Sequence, residues 1–420
     1  MGEYVFTYLM KSKWILHLDA DCFYVSCERL RFDDLKNKPV GVLGNQGACV
    51  IAKSYEMKAR GVKTGEAIWE SKEKCPDAIY IKRDFAWYES VSQKLFQYML
   101  SIADKVEYYS IDEFFAEMSS YFIEKNGGLQ ETAQYIQKEI LRNIGIPVSV
   151  GISPTKSISK FFSDACKPYG IVTGDAQVFA KMFTLGKLDE IWGFSKRRVL
   201  TLKSHRIFTI GDFLNASPRK IHSLLGIVGQ RIWYELQGVP SLEIADERAQ
   251  KKNISRGGSL GLARGNNKTM IHSFIVRTVD RLVDTLLRHH VKTRLLTLEI
   301  VGKYQSYSSS YAPIESTSSE SLVYEVTQKL FEEIYSPFEE YSHFHLIASK
   351  FETTEEQISL WGDECEKTIS QSKQDRAWEA CREKFGVHTV SRGSSLPLRE
   401  VYIDTASNME ICDIDGKQCF

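Results

Sequence analysis

Trp14-Ile-Leu-His-Leu-Asp19, running on into Ala20-Asp-Cys-Phe-Tyr-Val-Ser-Cys-Glu28, decides how the first half of the chain is read. β-Formers lead up to Asp19, which predicts a strand with a carboxylate at its end, and a helix is expected across Cys22 to Leu30. Outward from there, Pro39-Val-Gly-Val-Leu43 reads as a second strand, Gly44 to Gly47 as a turn, and Ala48 to about Ile81 as a small, Lys-rich α/β segment. Ala86 to Ala103 places Val91, Leu95, Tyr98, Met99 and Ile102 at helical spacing. Val106 to Ile111 and Phe114 to Met118 read as strands around Asp112-Glu113, Glu131 to Asn143 as a helix, and Pro147 to Ile152 as a strand. With the Lys-rich insert set aside, the order is that of a βαββαβ unit, the ferredoxin-like pattern, whose open sheet presents strand-end carboxylates on one face.

Further along, Leu188 to Gly238 has short helices punctuated by Gly193, Gly211, Gly226, Gly229 and Gly238. Leu224-Leu-Gly-Ile-Val-Gly229 predicts a tight turn between two helices whose N–H groups can approach a phosphate. Lys251 to Asn267, polar, basic and glycine-rich, reads as a linker. His272 to His289 then reads as an amphipathic helix, and Leu295 to Val301 and His343 to Ile347 as strands of a small α/β domain. Ser306 to Ser321 is serine-rich enough to suggest a mobile loop.

A chain of 420 residues is too long for one ordinary core, and two to four domains are expected. Hydrophobic content of 43% excludes the disordered class. No stretch approaches the roughly 18 uncharged apolar residues of a membrane helix, and Lys11 and Lys13 after the apolar Val5 to Met10, with no small-residue cleavage site, speak against a signal peptide. The nine cysteines are scattered without a C-x-x-C pair, as expected for free thiols in a reducing cytoplasm. The 54 basic and 54 acidic residues cancel overall, but not locally. Lys251 to Lys303 holds eleven Lys/Arg against Asp280, Asp284 and Glu299, a net of +8, whereas Tyr304 to Phe420 holds ten against twenty-one, a net of −11. A basic face for phosphates and an acidic tail that avoids them are both implied.

Phosphoryl transfer needs positioning and charge neutralisation more than covalent help. Two Mg²⁺ ions roughly 3.5–4 Å apart supply both, and each takes one or two carboxylates, with substrate oxygens and water completing its octahedron. Asp19 at one strand end and Asp112-Glu113 between two strands meet that requirement. Extended neighbours point to opposite faces, so Asp112 and Glu113 can both reach metal only from a turn or an irregularity.

His17 to Glu28 closely resembles the opening motif of the Y-family DNA polymerases, the translesion enzymes, and Ser110-Ile-Asp-Glu113 is similar to their second metal motif. Gly61-Val-Lys-Thr-Gly65 resembles the fingers signature, and Gly151-Ile-Ser-Pro-Thr-Lys-Ser-Ile-Ser-Lys160 with Lys167-Pro-Tyr-Gly170 the closing palm motif. The resemblance covers about residues 14–350 and touches two bacterial branches, polymerase IV and the catalytic subunit of polymerase V. It implies an α+β multidomain fold: a ferredoxin-like palm (14–47 and 82–180) after an N-terminal extension (1–13), small fingers (48–81), and a helical helix-hairpin-helix thumb (181–250). A linker (251–267), an α/β little finger (268–354) and an acidic tail (355–420) complete it.

The same resemblance implies roles. Asp19, Asp112 and Glu113 fall on the ligands of two Mg²⁺ ions, with the backbone carbonyl of Ala20 as an extra ligand; Asp21 reads as a helix cap instead. Tyr24 falls on the steric gate beneath the incoming sugar, with Phe23 beside it, and Tyr55, Lys58 and Lys167 on contacts to the triphosphate. Cys49 and Ile51 fall where the fingers roof the templating base, and Ala52 where some relatives carry a hydroxyl. Gly226, Gly229, Lys251, Lys252 and Arg256 are expected along primer-template DNA; Gly193-Phe-Ser195 departs from the usual Gly-x-Gly of the first thumb turn. Gln357-Ile-Ser-Leu360-Trp361 resembles the peptide by which bacterial polymerases bind the sliding clamp, and the polymerase V likeness brings accessory subunits into view. The implied activity is template-directed DNA synthesis across damaged bases from deoxynucleoside triphosphates. A catalytically silent bridging protein should have lost metal carboxylates, and a nucleotide cyclase on a related palm should lack a thumb; this sequence keeps the carboxylates and has the thumb-like segment.

Overall fold

A computed structural model describes residues 13–44, 49–245, 252–260, 265, 267–313 and 315–353, with short pieces of the C-terminal region that include 392–398. The chain divides into two compact units at Ala249/Gln250.

In the first unit, β1 (Trp14–Ala20) leads into α1 (Phe23–Arg31) through Cys22, which adopts a left-handed conformation. A small sheet follows, built from β2 (Val40–Leu43), β3 (Val50–Lys53) and, beyond α2 (Tyr55–Ala59) and α3 (Ile68–Lys74), β4 (Ile79–Lys82). The chain then forms α4 (Phe85–Ile102), β5 (Lys105–Tyr108), β6 (Glu113–Met118), α5 (Ser120–Lys125), α6 (Leu129–Asn143), β7 (Val148–Ser153), α7 (Lys156–Ala165) and β8 (Ile171–Thr173). The five-stranded sheet has the order β5-β6-β1-β7-β8, with β1 antiparallel to both neighbours. Its connectivity β1-α4-β5-β6-α6-β7 is the expected βαββαβ path. Val40–Leu43, expected as a second strand within the palm segment 14–47, is the middle strand of the separate β3-β2-β4 sheet. It pairs antiparallel with β3 and parallel with β4, because the chain leaves the main sheet after α1 and closes a second small core around Met57 and Val62.

β1 is buried from Ile15 to Ala20, and its two faces meet different partners. Leu16, Leu18 and Ala20 join Val91, Leu95 and Met99 of α4, Phe114 and Ala116 of β6 and Ile136 and Ile140 of α6 in the main core. The alternate face, Ile15, His17 and Asp19, belongs with Phe115 of β6 and with α7, where His17 Nδ1 lies 2.6 Å from Ser163 Oγ. The period of two along a strand thus separates the oily face from the chemical one.

Four helices complete this unit: α8 (Ala176–Phe183), α9 (Lys196–Ser204), α10 (Ile210–Asn215) and α11 (Pro218–Leu236). Their core joins Phe161 and Phe162 of α7 to Phe179, Leu202, Phe213, Ile221 and Ile232. α11 is broken at Gly226 (φ 70°, ψ −166°), so the expected tight turn lies where the glycine spacing put it.

The second unit comprises β9 (Asn253–Ser259), α12 (Lys268–Arg288), β10 (Val291–Gly302), β11 (Ser306–Tyr311), α13 (Glu320–Ile334) and β12 (Tyr341–Thr353). The sheet is antiparallel throughout, in the order β11-β10-β12-β9, with Ile271, Phe274, Val279 and Leu282 of α12 and Val323 and Leu330 of α13 packed in its core. Two expectations are corrected here. Within the predicted linker, 253–259 is an edge strand, held because Ile254 and Arg256 alternate inward against β12. Within the predicted serine loop, 306–311 is the other edge strand; its hydroxyls find partners across the sheet, as Ser310 does at Thr297 (2.7 Å).

Candidate active site

Asp19 closes β1 and Glu113 opens β6, and the two are directly opposed in the antiparallel ladder. Residues so paired have Cβ atoms roughly 4.5–5.5 Å apart on one face of a sheet. The third carboxylate, Asp164, arrives from the last turn of α7, and one oxygen from each of Asp19, Glu113 and Asp164 lies within 4.8 Å of the others. α7 approaches closely because β7 carries Gly151: a Cβ there would stand 2.0 Å from the Ser159 carbonyl oxygen. No side chain other than hydrogen fits between helix and strand.

Two lysines thread this acidic cluster. Lys160 Nζ lies 2.7 Å from Glu113 and 3.6 Å from Asp164, while Lys167 Nζ lies 2.5 Å from Asp19 and 3.0 Å from Asp164. Burial pushes the Asp19 carboxyl up to about 8 against the pull of Lys167, with Glu113 and Asp112 adding to the rise. For Lys160 burial acts to lower the pKa, and the attraction of Asp164, Glu113 and Asp19 outweighs it, so its ammonium is held above the usual range. The result is a pocket of hard oxygen donors with more anionic charge than burial tolerates unless cations share it. A divalent ion of the Mg²⁺ type fits that donor set, being oxygen-seeking and satisfied by one or two carboxylates with substrate oxygens and water completing its shell.

Asp112 lies in the turn before β6, one residue out of phase with Glu113. Its carboxylate accepts from Ser110 Oγ at 2.6 Å, its backbone carbonyl accepts from Ala20 N at 2.9 Å, and burial raises its pKa. It stands close enough to press on Asp19 electrostatically, outside the tight three-carboxylate group. Reading the sequence missed Asp164 and Lys160. Their four-residue spacing on α7, three residues short of Lys167, was the available signal.

Asp21 corrects a further expectation. It does not cap α1, whose N-cap position is Cys22 without a side-chain cap bond. Its buried carboxylate instead accepts from Tyr55 Oη (2.8 Å), from Ser149 Oγ (3.1 Å to each oxygen) and from the Tyr169 N–H (2.8 Å). One carboxylate therefore ties β1 to α2, β7 and the loop after Lys167. Lys58 is exposed, its ammonium 5.6 Å from the Tyr55 ring centroid. Phe23 is only 3% exposed and packs in the core beside Tyr24. Tyr24, half-buried, lies flat on Tyr88 with centroids 4.5 Å apart.

Of the expected DNA contacts, Gly226 is exposed and Gly229 buried in the α11 turn, and Lys252 is exposed. Arg256 is a correction: it is 6% exposed and donates to Thr285 Oγ1 of α12, because β9 turns its side chain into the core. Lys251, Gln357, Leu360 and Trp361 lie outside the described residues. Among the described residues no helix is long and apolar enough to cross a membrane.

With this geometry in view, the impB/mucB/samB family model matches residues 18–164, and the model of that family's C-terminal domain matches 251–360. The chain is 30% identical to the DNA polymerase IV of Oceanobacillus iheyensis over 296 residues, covering 70% of this chain and 68% of the relative. It is 27% identical to the DNA polymerase IV of Acetivibrio thermocellus over 402 residues, 92% of this chain and 98% of the relative. Among solved structures, the Y-family DNA polymerase chimera Dbh-Dpo4(243-245)-Dbh superposes with a TM-score of 0.66 at 20% identity, covering 80% of this chain and 98% of the other.

Proposed function

The chain belongs to the Y-family of DNA polymerases, and from that premise we propose how its residues carry out templated synthesis past damaged bases. The reaction joins a deoxynucleoside triphosphate to a primer 3′-hydroxyl. The observation that carries this reading is the convergence of Asp19, Glu113 and Asp164 within 4.8 Å.

In this reading the five-stranded sheet is a ferredoxin-like palm, the β3-β2-β4 sheet with α2 and α3 the fingers, α8 to α11 the helix-hairpin-helix thumb, and the second unit the little finger. Asp19, Asp112 and Glu113 are the residues that would hold two Mg²⁺ ions, with the Ala20 carbonyl as a further ligand; bound there, the ions would supply activation of the primer hydroxyl and charge neutralisation at the triphosphate. Asp164 adds anionic charge at the rim and steers Lys160 and Lys167, with which it pairs. Lys167, one-quarter exposed and paired with Asp19 and Asp164, is the cation that would exchange a carboxylate for a phosphate oxygen of the triphosphate. Tyr55 and Lys58 face the same triphosphate from α2, and Asp21 keeps α2 in register with β1. Exposed N–H groups at the Gly226 turn and Lys252 meet duplex phosphates, a contact that is sequence-independent and salt-sensitive.

The test is primer extension with Mg²⁺, a primed template and four deoxynucleotides. Glu113→Ala and Asp112→Ala should each lower extension by roughly 10³-fold or more while DNA binding persists. Extension at the wild-type rate in both variants would remove the metal site from this position.

A further inference from the structure

Tyr109 sits in the turn that delivers Asp112 and Glu113, its N–H donating to the Glu113 carbonyl at 3.1 Å. The ring is 40% exposed, yet it is held on several sides. Phe115 and Trp192 meet it edge-on at 5.4 Å and 5.8 Å, and the Trp192 indole N–H donates to its hydroxyl at 3.0 Å. Lys160, whose ammonium lies 2.7 Å from Glu113, stands 5.7 Å from the centre of the same ring. One neighbour of Tyr109 therefore touches the acidic cluster, and another opens the turn that leads into α9. In that turn Gly193 follows Trp192 at φ 81°, and the side chains of Lys196 and Arg197 just beyond are exposed.

Aromatic surface interleaved with cations suits a nucleic-acid strand, because rings meet sugars and bases while the cations hold phosphates. Here the ring is ordered in advance, so little freedom is lost when a strand settles on it. The Tyr109 hydroxyl accepts from Trp192 and, among the described residues, gives its own hydrogen to no partner, which leaves it a donor for a sugar or phosphate oxygen. A strand with its 3′-end at Glu113 and its upstream phosphates at Lys196 and Arg197 must cross the surface between them, and Tyr109 with Trp192 forms that surface. We propose that Tyr109 seats the terminal sugar of the primer, so that the attacking 3′-hydroxyl stands over the carboxylates. Trp192 is a positioning residue that fixes the ring. The inference rests on the reading of Asp19, Asp112 and Glu113 as the metal site.

The experiment measures single-turnover extension by the full-length chain on two primers that differ only in the terminal nucleotide, one ending in deoxyribose and the other in ribose. Nucleotide KM, half-saturating Mg²⁺ and thermal melts are recorded alongside. The proteins compared are wild type, Glu113→Ala, Tyr109→Ala, Tyr109→Phe and Trp192→Phe. Tyr109→Ala should slow extension of the deoxyribose primer by roughly tenfold, in line with the loss of one aromatic contact to a nucleotide. Nucleotide KM and half-saturating Mg²⁺ should stay within about twofold, because the seat touches neither. Tyr109→Phe and Trp192→Phe keep both rings and lose the bond between them, and each should slow extension about two- to fivefold. Wild type should extend the ribose primer several-fold more slowly, since the added hydroxyl must fit against the ring, and Tyr109→Ala should bring the two rates together. A Tyr109 that merely holds its turn would slow both primers in proportion and shift half-saturating Mg²⁺, which overturns the inference. Equal rates on the two primers in wild type overturn it as well. Should Tyr109→Ala fail to fold, wild-type rates and an unchanged primer ratio in both Phe variants overturn it alone. If those results come with an inactive Glu113→Ala, the metal site stands and only the seat falls; wild-type extension by Glu113→Ala removes both.

Discussion

Asp19 is a carboxylate whose burial raises its pKa to about 8, so in the metal-free chain a proton competes for the place a divalent ion should take. The sign follows directly. A folded pKa above the ordinary carboxylate value means that the stability linked to this proton is fully present below about 4 and is lost as pH rises through about 8. A bound cation replaces the proton, so metal binding is favoured at higher pH. The rise in Tm on adding Mg²⁺ should therefore be larger at pH 8 than at pH 6, and an equal rise at both would show that the ion does not meet Asp19. Asp21, two residues on, has a different task, accepting hydrogen bonds from Tyr55, Ser149 and Tyr169. Asparagine keeps its shape but offers one acceptor oxygen in place of two. Asp21→Asn should raise KM for the incoming nucleotide by about three- to tenfold with a smaller change in kcat. Combined with Tyr55→Phe the losses should be less than additive, and strict additivity would break the link to α2.

Among the elements, α7 does the most for the site. It carries Lys160 and Asp164, and its first turn is locked by Lys156, whose ammonium lies 2.6 Å from Glu107 of β5 with both side chains largely buried. Glu107 also accepts from the Ala245 N–H at 2.8 Å, and buried Glu235 of α11 accepts from the N–H groups of Ser157, Ser241 and Leu242. The helix is therefore clamped at its start by carboxylates from two elements and at its middle by Gly151. Gly151→Ala should lower stability by about 2 kcal/mol, as overpacking does, and should cost activity beyond that loss because Asp164 and Lys160 move with the helix. A circular-dichroism melt paired with primer extension at a temperature where the variant is folded checks both; full activity in the folded variant would mean that the helix tolerates the shift.

Over the whole molecule, charge is distributed by segment. The +8 stretch from Lys251 to Lys303 contributes β9, α12 and β10 to the second unit, whereas the acidic excess accumulates from Tyr304 onward. Lys252 is exposed while Arg256 is buried, so the exposed positive charge of this stretch is smaller than the composition suggests. The Gln357 to Trp361 peptide, outside the described residues, is proposed to dock on the sliding clamp. Trp361→Ala should reduce clamp-stimulated synthesis several-fold, as loss of an aromatic anchor does, and leave basal extension unchanged. Equal stimulation of variant and wild type would end that assignment.

The sequence by itself determined the main sheet and the carboxylates at its strand ends, because strand period and motif spacing are local properties of the chain. It also located the glycine turn at Gly226, where a positive φ demands that residue type. Local pattern misled wherever a partner decided the outcome. Val40 to Leu43 went to a second sheet, residues 253–259 and 306–311 became edge strands, and Arg256 turned inward, each through pairing with strands or helices distant in sequence. Only the tertiary structure brought Asp164 beside Glu113, made Asp21 a tie between α2, β7 and the loop at Tyr169, and laid Tyr24 on Tyr88. Those contacts join residues about thirty-five to one hundred and fifty positions apart, and they exist because packing a helix against a sheet closes distances that no local spacing encodes.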